Sequence, residues 1–453
     1  MTPESPHEIS TLSFTEVTSI PLFDEITDGE LFMIALSNNT TKLTHGLHRF
    51  PAKYIPQVPI WALDSFGSRQ TVCLDPFMGS GTTLVEGLIR GGTTIGTDID
   101  PLARFIARAK IADVDHERIR VMGASIMASW PGEHIETQGL RAPMPDIDNF
   151  GHWFARPQWA KAQALVDRIL DLDATVAERD FLLAVFSSVL RWVSNADDQS
   201  QKTYVSGTRP KEPPPIEVQF RRFLSRAVNG LEELNRKRHS EARAVILDDA
   251  DATRLGLPEA SVDLIVTSPP YLDSVDYPYN LMLEYFWLGP RIGVPDRKAF
   301  NALRRTPVGA KQPAACLPLP PVIEAMIDLS TLSAGRRRAA TTYFSMMDTH
   351  LAEAARCLKD GGRYVLVIGN SQTRSGMLPV HEVIVKLAAS HGLVLERSFG
   401  YRVRRHYMKF PRSGRGGIIL IDWVLTLRKQ PDMKAGRLPR STWVSLPPSS
   451  VAN

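Results

Sequence analysis

The chain opens polar. Residues 1–44 carry one short amphipathic stretch, 22–36, expected to brace the body of the protein. From Thr71 the pattern becomes alternating apolar runs and amphipathic stretches. Thr71, Val72, Cys73 and Leu74 form a short apolar strand that ends at Asp75 in a glycine-rich turn; residues 82–90 follow with helical spacing, and Gly91-Gly92 close them. A second strand, 94–98, comes at once. Apolar runs at 244–247, 262–266 and 363–368 predict further strands, while 394–399 and 417–427 lie close enough to pair antiparallel. This alternation predicts an α/β protein: a Rossmann-like doubly wound sheet with an antiparallel last strand.

Two segments break the rhythm. Residues 113–243 stand between the second and third strands, with helical periodicity at 159–172 and 178–193 and a turn-rich, basic stretch at 202–215. A crossover in such a fold is far shorter, so an inserted helical subdomain is expected. A second excursion, 273–342, holds aromatics, prolines and Arg336-Arg337-Arg338, and reads as a solvated loop or a phosphate contact. The predicted organisation is an N-terminal extension (1–44), a ligand-binding half of the sheet domain (45–112), the helical insertion (113–243), a catalytic half (244–428) and a Pro- and Ser-rich disordered tail (429–453).

Composition narrows the classes. With 453 residues, 43% of them hydrophobic, the chain can bury a large core. The net charge is only +4, yet acid-poor stretches such as 397–415 offer local basic surface. Cys73, Cys316 and Cys357 are too scattered for a disulfide framework or a cysteine zinc site, and no metal-ligand spacing is visible. No apolar run approaches the ~20 residues of a membrane helix. A soluble, cytoplasmic protein without a metal is expected.

The candidate chemistry begins at Asp75-Pro76-Phe77-Met78-Gly79-Ser80-Gly81-Thr82. Gly79 and Gly81 let the backbone approach a ligand, and the helix that follows offers unpaired N–H groups. Asp98, with Ile99 after it, ends the next strand, where a carboxylate can accept both hydroxyls of a ribose. A dinucleotide turn would want a third glycine at position 84, which is Leu84, so a nicotinamide is disfavoured. The second constellation is the apolar strand 263–266 running through Thr267 into Ser268-Pro269-Pro270-Tyr271. The prolines end the ladder and stiffen the backbone; Ser268 and a neighbouring carbonyl can accept protons from an amine, and Tyr271 offers a face for an extruded base.

These motifs resemble the amino-methyltransferases of DNA, which make N4-methylcytosine or N6-methyladenine. The resemblance extends to residues 47–54, which include Phe50, Pro51, Lys53 and Tyr54, and to Asp248-Asp249-Ala250 after the third strand. It implies a class I methyltransferase fold and S-adenosylmethionine as cofactor. The cofactor would be held by Phe50, Pro51, Lys53, Tyr54, Asp75, Pro76, Phe77, Gly79, Ser80, Gly81, Thr82, Asp98, Ile99, Asp249, Ala250 and Thr267. The catalytic loop would be Ser268, Pro269, Pro270 and Tyr271, and the Ser-Pro-Pro-Tyr form points to cytosine N4, with adenine N6 as the alternative. Attack at cytosine C5 would need a thiolate, usually after proline; Val72, Ala315 and Arg356 precede the cysteines instead.

A base inside a duplex must be flipped out before transfer, so basic surface is needed to offset the unstacking. Lys202, Arg209 and Lys211 in the insertion and Arg402, Arg404 and Arg405 between the last two strands are the candidate DNA contacts. The expected partner is double-stranded DNA, in host modification or antiphage defence beside restriction or defence proteins. The competing classes are a methyltransferase acting on RNA or protein and a non-catalytic DNA-binding subunit.

Overall fold

The structure, a computed structural model, describes residues 12–35, 41–51, 53–130, 136–145, 147, 149–198, 200, 202–208, 210–272, 276–310, 312–314, 317–373, 376–403 and 421–431. Its main sheet is built from β1 (Thr15–Val17), β2 (Glu30–Ile34), β3 (Val72–Asp75), β4 (Thr93–Thr97), β5 (Arg243–Leu247), β6 (Val262–Thr267), β7 (Leu358–Gly369), β10 (Leu393–Val403) and β11 (Asp422–Lys429); β8 (Ser371–Thr373) and β9 (Gly376–Leu378) form a separate hairpin. The strand order is β1-β2-β10-β11-β7-β6-β3-β4-β5. Every neighbour is parallel except β11, which runs antiparallel to both β7 and β10. This is the doubly wound, Rossmann-like arrangement that the strand-helix alternation predicts, with its single reversed strand.

Alternation along β7 explains why the sheet is covered on both faces. Tyr364, Leu366 and Ile368 join the core under helices Ala334–Cys357 and Val380–Ser390, while Val365 and Val367 face the opposite core beneath helix α1 (Gln57–Phe66). A strand buried on both sides reads as a continuous apolar run, which is how 363–368 stands in the sequence.

The N-terminal stretch packs against the body by joining the sheet itself. Phe32 and Ile34 are fully buried at a spacing of two, and β2 pairs parallel with β10, so the segment extends the sheet and covers what would otherwise be its edge. The Phe32 and Phe399 rings meet edge to face at 5.6 Å across that pair.

After β3 comes α2 (Thr82–Arg90), and after β4 comes α3 (Pro101–Ile111). The 113–243 region then supplies α4 (His116–Ala128), α5 (Arg156–Leu170), α6 (Val176–Val193) and α7 (Ile216–Lys237). Helix α6 is central: Phe181, Leu182, Val185, Phe186, Val189 and Leu190 are all fully buried, and a capping box between Thr175 and Glu178 starts it. Its core is continuous with Leu102, Phe105 and Ile106 of α3. The helices are therefore packed onto the sheet domain along one flank.

The second excursion is not a solvated loop. All of helix α8 (Met282–Leu288) is buried in that same core, and Trp287 packs edge to face on Phe186 at 5.4 Å. Arg336, Arg337 and Arg338 lie in the opening turns of α9 (Ala334–Cys357). The predicted disordered tail falls, beyond Pro431, outside the described residues. Among the described residues no helix is long and apolar enough to cross a membrane.

Candidate active site

From β3 the sheet grows in both directions, toward β4 on one side and β6 on the other, so the chain leaves the carboxyl ends of β3 and β6 at a topological switch point. A crevice must open there. The cleft at this point is lined by Phe50, Pro51, Lys53, Tyr54, Pro76, Phe77, Gly79, Ser80, Thr82, Asp98 and Ile99 on one side and by Ser268 and Pro270 on the other. The glycine turn and the proline loop, 190 positions apart in the chain, thus share one cavity.

Gly79 and Gly81 both adopt left-handed backbone (φ 49° and 78°), but they serve different ends. At Gly79 a Cβ would press on the Phe50 ring at 3.3 Å, so the missing side chain keeps the cleft floor open. Gly81 does not line the cleft. It precedes the first turn of α2, where a Cβ would lie 3.0 Å from that of Ala107 on α3; here the small residue permits helix packing.

Asp75 also lies beneath the cleft. Its buried carboxylate accepts from Thr267 Oγ1 at 2.6 Å, from the Phe77 N–H and the Tyr54 hydroxyl at 3.3 Å, and from the Thr83 hydroxyl. Burial pushes its pKa up to about 6 against the pull of those hydrogen bonds. One side chain therefore ties the segment before the turn, the turn, helix α2 and strand β6 together. Asp75 and Thr267 act as a cross-brace between the two halves of the site.

Asp98 caps the cleft wall. Its Oδ2 accepts the Gly79 N–H and its Oδ1 the Asp100 N–H, each at 2.9 Å, and burial with the nearby Asp100 charge pushes its pKa up to about 7. Asp100 lines the cleft as well, a residue the sequence reading missed. Its Oδ1 caps α3 through the Leu102 and Ala103 amides and accepts from the Tyr285 hydroxyl at 2.5 Å, whereas its buried Oδ2 has no partner among the described residues. A buried acceptor left without a donor beside a cleft is a place where a ligand's donor would be favoured. The Asp-Pro pair that opens α3 was a visible cap signal, but nothing in the sequence showed that the second oxygen would be left over.

The far wall is shifted from expectation. Asp251, Ala252 and Thr253 line the cleft in place of Asp249 and Ala250; the Ala250 carbonyl accepts from Thr97 Oγ1 at 2.7 Å, which holds the chain against β4 until two residues later. Tyr277, Thr306, Pro307, Val308 and Met346 complete the lining from the second excursion and α9. No motif marked them.

Alternate residues of the proline loop meet different surroundings. Ser268 and Pro270 meet the cleft; Pro269 and Tyr271 do not line it. Tyr271 packs against the core under α9, and its hydroxyl donates to Asp422 Oδ1 at 2.9 Å. In this structure the half-buried Tyr271 is held by that bond to Asp422 and stands outside the cleft lining. Tyr277, stacked on Phe50 at 6.5 Å with the rings inclined by 22°, lines the cleft together with Tyr54. Tyr271→Phe should cost about 1–2 kcal/mol of stability in urea unfolding, because it strips the half-buried Asp422 carboxyl of a donor.

Of the basic candidates, Lys202 is exposed and Arg402 half-exposed at the end of β10. Lys211 is occupied: its ammonium donates to the Arg191 and Ala196 carbonyls (2.8 and 3.2 Å), closing the C-terminal end of α6. Arg209, Arg404 and Arg405 lie outside the described residues.

Known proteins bear on this site. The chain is similar to the type II methyltransferase M.MvaI of Kocuria varians, 26% identical over 399 residues, covering 81% of this chain and 85% of that one. It is 23% identical over 304 residues to the type II methyltransferase M.BsoBI of Geobacillus stearothermophilus (60% and 57% covered). Over 89 residues it is 36% identical to the type II methyltransferase M.MjaII of Methanocaldococcus jannaschii, spanning 20% of this chain and 17% of that one. Over most of its length the chain is thus similar to a protein named a type II methyltransferase. No family description matches it. The cleft with Asp98, Gly79 and Ser268 stands where the sheet topology requires a ligand site.

Proposed function

We propose that the protein is a DNA methyltransferase that uses S-adenosylmethionine and acts on the exocyclic N4 of cytosine. The observation that carries this reading is the joining of the two motifs: Ser268 and Pro270 line the same cleft as Gly79 and Asp98, and Thr267 is hydrogen-bonded to Asp75 beneath it. Similarity to type II methyltransferases over most of the chain supports it.

The residues fit the cofactor. Asp98 offers carboxylate lone pairs to ribose hydroxyls, Asp100 Oδ2 lacks a donor, and Ile99, 38% exposed, gives an apolar surface for an adenine ring. Bound there, S-adenosylmethionine supplies an electrophilic methyl group. The chain supplies acceptors and position. A base amine in the cleft gives one proton to the Ser268 hydroxyl and another to a loop carbonyl as hydrogen bonds, drawing the nitrogen lone pair out of conjugation with the ring. The two prolines fix those acceptors, and the Asp75–Thr267 brace fixes the loop relative to the cofactor side, so the barrier is lowered by positioning.

Cytosine is chosen over adenine because of the Ser-Pro-Pro-Tyr form of the loop. Nucleoside mass spectrometry of DNA treated with the enzyme is expected to yield N4-methylcytosine. N6-methyladenine in its place would overturn the choice of base and leave the mechanism standing. Host modification or antiphage defence is the role that such an activity serves, with cleavage left to a separate restriction or defence protein.

A further inference from the structure

A second, smaller pocket adjoins the cleft, and Pro51 belongs to the walls of both. It lies between the helical 113–243 region and the segment before the glycine turn, lined by Arg49, Arg191, Trp192, Asn280 and Glu284 among others. Asn280 is 5% exposed, and its side-chain Nδ2 is buried with no acceptor among the described residues. Glu284, 6% exposed, sets a carboxyl group in the same wall. Trp192 stands at the end of α6 with 42% of its surface open, and exposed Arg49 donates to the Ser200 carbonyl at 3.1 Å. The remaining lining carboxylate, Asp198, is paired with Lys211 at 3.5 Å.

We infer that this pocket takes a base of the DNA beside the modified nucleotide and reads its hydrogen-bonding edge, an inference that rests on the DNA-methyltransferase reading above. An unpartnered amide donor beside a carboxyl acceptor matches a base edge that carries an acceptor next to an amino group. A phosphate matches poorly, since the carboxyl would face its charge. Trp192 supplies a stacking face at the mouth, and Arg49, next in sequence to the cleft residue Phe50, lies where the backbone between two adjacent nucleotides would run. The helical region thereby contributes to DNA binding through Trp192 on α6 rather than through Lys211, while the reading groups, Asn280 and Glu284, come from the second excursion.

The test is a selection of duplexes from a randomised library by the full-length protein saturated with S-adenosylhomocysteine, followed by sequencing. The wild type is expected to select a motif. Asn280→Ala and Glu284→Gln should each lose preference at one shared position by about 10- to 100-fold and keep the rest of the motif. Trp192→Ala should weaken binding to all sequences by about 10-fold. Cofactor-analogue affinity within about twofold of wild type certifies folding; should Asn280→Ala fail that check, the near-isosteric Glu284→Gln carries the test. Variants that select the wild-type motif at unchanged strength would overturn the inference, as would a wild type that selects none. The selection needs no methyl transfer, so a protein that selects the motif but transfers no methyl group would refute the proposed activity and leave the pocket assignment intact.

Discussion

Ser268→Ala is expected to lower methyl transfer by roughly 100- to 1000-fold, the range observed when a single preorganised polar partner of a reacting group is removed. Affinity for S-adenosylhomocysteine should stay close to that of the wild type. The separation follows from the geometry. Ser268 stands at the end of β6, while the groups offered to the cofactor come from the turn after β3 and from the end of β4. The hydroxymethyl side chain becomes a methyl group, one oxygen atom smaller, so little packing changes, and the Asp75–Thr267 bond remains. Single-turnover kinetics and calorimetry on the same preparation check both halves. Equal losses in turnover and cofactor affinity would place Ser268 on the cofactor side.

Asp98→Ala should reduce cofactor affinity by roughly 100-fold, because charge-assisted hydrogen bonds are lost together with acceptors for the Gly79 and Asp100 amides. The wild type carries a pH signature as well. Burial raises the Asp98 carboxyl to about 7, and only its ionised form keeps an acceptor on both oxygens for ligand hydroxyls beside the Gly79 and Asp100 amides. Affinity is therefore full above about pH 7 and falls by up to tenfold per unit below it, and binding near neutrality releases a proton because the ligand's donors favour the charged form. Titration calorimetry in buffers of different ionisation enthalpy measures that proton directly. An affinity flat between about pH 6 and 8 would mean that Asp98 does not contact the cofactor through its charge.

Much of the sheet was legible because its strands advertise themselves. Val72–Asp75, Thr93–Thr97 and Val262–Thr267 fall within a residue or two of their apolar runs, and helix Thr82–Arg90 is bounded as its glycines indicate. The glycine turn and the proline loop were legible for the same reason: each breaks a strong local pattern at a fixed place. What escaped depends on long-range packing. Glu30–Ile34 looks like half of an amphipathic stretch until β10 is beside it, and α8 looks like part of a loop until α6 supplies the core for Trp287. The direction of Tyr271 is set by Asp422, 151 residues away, and the offset from Asp249 to Asp251 by a threonine on a neighbouring strand. Neither partner is visible in the motif itself.

The central claim is that one cleft brings a methyl donor to an amine of DNA. It is tested most directly by incubating the purified chain with methyl-labelled S-adenosylmethionine and, in parallel, duplex DNA, RNA and protein, alongside Ser268→Ala. Label in duplex DNA from the wild type, nearly abolished in the variant and lacking in RNA and protein, is the predicted result. Label in RNA or protein instead, or equal labelling of DNA by the variant, would contradict the account.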